Sequence, residues 1–115
     1  MATLPPEISA SIDLLRNQCL AIIHFATNTE SKLFTVFGET TETQGVLSEL
    51  KTFAQEATDA LSRFNSLQLK VAMTQPEISL ALARLISDSR ARIEMRIPAW
   101  QRSIEEIILT WRLAE

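Results

Sequence analysis

The chain has no tyrosine, two glycines, one cysteine and one histidine, and each shortage closes off a class of protein. Scarce glycine and missing tyrosine leave little material for the tight turns and strands of an all-β fold, and four prolines do not make up the deficit. Cys19 has no internal disulfide partner, so a buried, reduced thiol and a cytoplasmic setting are expected. His24 has no carboxylate or second histidine at chelating spacing, and no metal site or cofactor is expected. Gly38 and Gly45 stand alone, which leaves no phosphate-cradling loop. No apolar run approaches the roughly 18–20 residues that cross a bilayer. The first seven residues lack a basic stretch followed by an apolar run, so no secretory signal is expected. A net charge of −3 gives no electrostatic footprint for nucleic acid.

What the chain has is an apolar series at alternating steps of three and four. In the first segment it reads Ile8, Ile12, Leu15, Cys19, Ile22, Ala26, then Leu33 and Phe37. In the second it reads Leu47, Leu50, Ala54, Ala57, Leu61, Phe64 and Val71. In the third it reads Ile78, Leu82, Leu85, Ile93, Ile97, Trp100, Ile104, Ile107 and Trp111. That period belongs to long amphipathic helices burying one stripe against one another. The expected fold is all-α: one domain over residues 1–115, an elongated antiparallel up-down-up bundle of three long helices. Pro98 is expected to kink the last helix, and a break there would give a four-helix bundle.

Local signals divide the segments. Pro5, Pro6 and Glu7 suit a first helical turn, and Gly38 suits a left-handed stop after Phe37. The stretch Ala26–Ser31 is weakly helical, yet Leu33 and Phe37 stay in phase, so one continuous first helix is expected. Residues 38–43 read as a polar connection without a core residue, with the second helix starting near Gln44. Thr74, Pro76 and Glu77 read as a capping box opening the third helix.

The sequence offers no arrangement of nucleophile and base, since Cys19 and His24 lie well apart around one helix; no enzyme is expected. All six basic residues after position 75 are arginine, and two of them fall in ion-pair register, Asp88 with Arg92 and Arg90 with Glu94. Arg96 is different: counted from Leu82 it falls about 40° from the stripe's centre at roughly 100° per residue. Ser89 lies closer still, and Arg92 flanks the same side. With the first and third helices parallel and Ile8 level with Ile78, Arg96 comes level with residues 26–30. There Thr29 and Glu30 replace apolar residues, so a polar layer with Glu30 paired to Arg96 is expected. That layer (Arg96, Arg92, Glu30, Ser89) either fixes helix register or forms a pocket for an anion or small ligand.

Apolar residues outside the stripe give a second lead. Leu80, Met95, Leu109 and Leu113 lie on the back of the third segment, and Leu14, Leu20 and Phe25 are off-centre on the first. Long helices with apolar residues on two faces favour self-association, most simply a homodimer, or a partner helix. The preferred reading is therefore a non-catalytic protein–protein interaction or scaffold module, with a small-ligand or anion-binding regulatory bundle as the alternative. No motif is specific enough to carry over a function from a known family.

Overall fold

The computed structural model describes residues 4–74 and 78–113. Among them are three helices and no strand: α1 (Pro6–Phe37), α2 (Thr41–Met73) and α3 (Leu80–Trp111). Each holds 32 or 33 residues, roughly 48 Å at 1.5 Å per residue, and together they fill a rod of 56 × 20 × 17 Å. Side-chain contacts fix the directions. Glu30 meets Lys51, Glu56 meets Arg96, and Phe37 meets Trp111. So α2 runs antiparallel to both neighbours, and α1 and α3 are parallel.

The buried positions explain why the helices wind together. In α1 they are Ile12, Leu15, Cys19, Ile22, Ala26, Thr29 and Leu33, an unbroken alternation of threes and fours. In α2, Thr43, Leu50, Ala57, Phe64 and Val71 recur every seventh residue. A seven-residue repeat falls slightly short of two ideal turns, so keeping it in contact imposes a left-handed winding. The weakly helical stretch in α1 does not interrupt it, because Thr29 fills its seam position and donates its hydroxyl to the Phe25 carbonyl at 2.8 Å.

In α3 the alternation breaks once. Its buried positions are Leu82, Ile86, Ser89, Ile93, Ile97, Trp100, Ile104 and Ile107, so two steps of four flank Ile93. Two seam positions follow from this spacing. Ile86, not Leu85, lies in the seam, because Ile86, Ile93, Trp100 and Ile107 form the seventh-residue series. Ile97 takes the seam position that a step of three would have given Arg96, which spares a guanidinium from desolvation.

Pro98 follows on the outer face, and α3 continues through it to Trp111. The fold is thus a three-helix bundle, without the break that a fourth helix requires. The carbonyl deprived of its donor is that of Glu94, and both residues are exposed, so water is at hand for the lost bond.

The helix ends differ from expectation. Gly38 closes α1 at φ 69°, ψ −171°, backbone that glycine alone adopts readily. Thr40, not a residue near Gln44, caps α2: its hydroxyl accepts from the Thr43 N–H at 3.2 Å, and the Thr43 hydroxyl accepts from the Thr40 N–H at 2.8 Å. Thr43 also donates to the Gly38 carbonyl at 2.9 Å and is buried, so the connection does contribute to the core.

At the opposite end Thr74 closes α2 rather than opening α3, with its hydroxyl on the Lys70 carbonyl at 2.6 Å. The cap of α3 is Ser79, which accepts from the Leu82 N–H at 3.1 Å. The rest of the expected capping box, residues 75–77, lies outside the described residues.

The end of α3 overturns another expectation. Arg112 adopts the left-handed conformation, φ 55°, ψ 47°. The Leu113 N–H then reaches the Ile108 carbonyl at 2.9 Å, and the Arg112 N–H reaches that of Leu109 at 3.4 Å. This reversal turns Leu113 into the bundle's hydrophobic core, so it is buried rather than exposed.

Candidate functional site

Between α2 and α3 runs an open groove of about 250 Å³. Its floor is Ala60, Ile93 and Ser89, where the small alanine leaves space. At one end Trp100 closes it, 2% exposed. One carboxylate oxygen organises that end: Glu56 Oε1 accepts from Trp100 Nε1 at 2.8 Å and from Arg96 Nη2 at 2.7 Å. The guanidinium of Arg96 also lies 5.3 Å from the Trp100 ring centroid, within cation–π range. Arg63, Arg92 and Asp59 line the rest. Neither Arg63 nor Arg92 has a carboxylate within 4.0 Å among the described residues.

Three of the four residues expected to form a polar layer thus share one wall: Arg96, Arg92 and Ser89. Glu30 is elsewhere, with its carboxylate 3.5 Å from Lys51 Nζ on the other side of the bundle. Register explains the separation. Arg90 Nε and Nη2 donate to the Ser11 hydroxyl at 3.2 and 3.0 Å, where level counting from Ile8 and Ile78 would have set Arg90 beside Leu20. At Arg90 the third helix therefore sits nine residues, about two and a half turns, lower against the first than counting suggests. Arg90 is consequently engaged across helices rather than with Glu94, and the Asp88–Arg92 pair is likewise not formed.

Glu56, Asp59, Arg63 and Trp100 are the groove residues that sequence reasoning missed. One signal for Glu56 was present: a buried indole requires an acceptor for its N–H, and the seam itself supplies none.

The two reactive side chains do not form a site. Cys19 is buried, and burial pushes its thiol up to about 11, so it stays protonated at neutral pH. His24 is exposed on the same helix. Among the described residues no group of three or more His, Cys, Asp or Glu side chains could hold a metal ion.

The apolar residues expected outside the seam divide into sets. Leu80, Met95 and Leu109 are exposed on α3, and Leu14 and Leu20 on α1. Leu14 borders a shallow α1–α3 groove beside Pro98, whereas Leu20 points to the opposite flank. Phe25 is half-buried in an adjoining groove against Ile97. Phe34, Val36, Leu69, Met73 and Leu85 are exposed as well and were not anticipated. Phe37, expected in the seam, is also 42% exposed, because it lies at the bundle's end; it packs edge-on against Trp111, with centroids 5.2 Å apart.

No described helix is long and apolar enough to cross a membrane. Comparison with known protein families, curated proteins and solved structures gives no match, so no function comes to this chain by similarity.

Proposed function

We propose that this chain is a non-catalytic interaction module that associates with itself through the outer face of α3. One observation carries the reading: Leu80, Met95 and Leu109 are each at least 70% exposed on a helix whose seam is already filled. Scattered apolar residues need no explanation, but these three share the side of α3 turned away from both neighbours. A two-fold pair would remove them from water without altering the bundle. A reduced, buried Cys19 suits a cytoplasmic setting for such a module. Sedimentation velocity at tens of micromolar is expected to give a dimer, and Leu109→Glu to shift it toward monomer. A monomer for the unaltered chain overturns the reading.

A second reading, binding of a small organic anion, is favoured by the guanidinium groups of Arg63 and Arg92, which have no carboxylate within 4.0 Å among the described residues and flank the floor of Ala60, Ile93 and Ser89. Benzoate is expected to change Trp100 fluorescence in a Trp111→Phe background, while benzyl alcohol does not. Arg63→Gln with Arg92→Gln is expected to abolish the response. Equal responses to both compounds, or none at millimolar benzoate, overturn it.

A further inference from the structure

The outer face of α3 carries a second series at steps of three and four, opposite the seam, and all of its side chains are exposed. Its apolar members are Leu80, Ala91, Met95, Pro98 and Leu109, two at the ends and three in the middle. Between them lie two charged pairs: Arg84 and Asp88 on one side of the middle, Arg102 and Glu105 on the other. Read from either end, the series begins with leucine, but the charges come in opposite order. From the front they run plus, minus, plus, minus; from the back, minus, plus, minus, plus.

This sequence is complementary to its own reverse. We infer that two copies pair through α3 in antiparallel fashion, about a two-fold axis passing beside Met95. The inference rests on the self-association proposed above and adds its surface, direction and register. In that register Leu80 meets Leu109 of the second copy and Ala91 meets Pro98. Arg84 meets Glu105 of the second copy, and Asp88 meets Arg102; the symmetry repeats each pair. Met95 meets its own counterpart at the axis, where a flexible thioether fills an irregular gap well. A parallel pairing in register would set Arg84 on Arg84 and Glu105 on Glu105, and like charges across an interface oppose association.

The remaining geometry fits. The series keeps nearly the seven-residue repeat of the seams, so two such faces stay in contact along a left-handed pair. Pro98 suits an outer contact because the ring adds apolar surface and no N–H needs a partner. Charged positions on either side of the apolar middle set direction and register, while the terminal leucines add apolar contact at each end. None of the charged side chains in the series has an ion-pair partner within 4.0 Å in the single chain among the described residues.

Charge reversal tests direction and register together. Arg84→Glu alone and Glu105→Arg alone are each expected to weaken the dimer on the order of tenfold or more, since each creates two like-charge contacts. The combined Arg84→Glu, Glu105→Arg chain is expected to recover to within a few-fold of the unaltered one. In a Cys19→Ser background, Met95→Cys is expected to form an intermolecular disulfide under mild oxidation, and Leu20→Cys is not.

A dimer that the double reversal fails to rescue, or that Met95→Cys fails to cross-link, overturns this register and leaves self-association standing. A monomeric unaltered chain overturns both. Circular dichroism of each variant checks that the exposed substitutions leave the bundle intact.

Discussion

Replacing Phe64 with alanine is expected to cost about 3–5 kcal/mol of folding stability, the range for truncating a buried aromatic ring. Phe64 is the largest of the fully buried side chains, 1% exposed, and stands in the seventh-residue series of α2. Its neighbours on that seam, Ala57 and Ala60, have no atoms with which to fill the space it would leave. Collapse would require helix α2 to move as a body, and that would disturb the Glu56–Trp100 bond one side of it and Leu67 the other. The cost is a large share of the roughly 5–15 kcal/mol that holds a domain of this size. In urea the midpoint is expected to fall on the order of 2 M at an unchanged slope, for slopes of roughly 1.5–2 kcal/mol per molar. Leu109→Ala provides the contrast: on the exposed face it is expected to change monomer stability by less than about 0.5 kcal/mol. A small effect at Phe64 would mean that the seam is fluid rather than packed.

The seam was legible in the sequence because it is a property of each helix alone. Ile12, Cys19, Ala26 and Leu33 are buried where periodicity places them, and so are Leu50, Ala57 and Phe64. Continuity of α1 through Thr29 followed from phase on either side. What failed did so for identifiable reasons. Leu85 and Ile86 are adjacent and both apolar, so only the series through Ile93 and Trp100 decides between them.

Helix ends are less legible because several Ser and Thr residues near each boundary are competent to cap. Thr74 and Ser79 compete at one end, and Thr40 and Thr43 form a reciprocal pair at the other that lacks the usual Glu or Gln. The candidate site suffered most. Arg96, Arg92 and Ser89 are legible together because one helix carries all three, whereas Glu30 joins them only through a level count between helices. That count depends on loop geometry and on how far each helix slides, neither of which any local pattern encodes. The α3 outer face lay in the sequence throughout, but its meaning depends on which side of α3 the bundle leaves uncovered.

The Glu56 carboxylate separates two contributions that share one oxygen atom, and the second large effect is expected there. Glu56→Ala is expected to cost about 1–3 kcal/mol, and nearly all of it comes from Trp100 rather than Arg96. The two side chains of the ion pair are 45% and 42% exposed, and a pair so open to water contributes about 0–1 kcal/mol. The indole N–H belongs to a residue that is 2% exposed, and deprived of its acceptor it has little access to water. Glu56→Gln keeps a carbonyl oxygen for the indole while removing the charge, so it is expected to cost a few tenths of a kcal/mol. Trp100→Phe should remove most of the dependence, leaving Glu56→Ala only the contribution of the exposed Arg96 pair, about 0–1 kcal/mol, and a change in helix propensity. Urea denaturation of the two singles and the double closes the cycle, and the interaction free energy it returns belongs to the indole–carboxylate bond. If Glu56→Gln costs as much as Glu56→Ala, the charge matters more than the acceptor. The groove would then be held open by its ion pair rather than by its tryptophan.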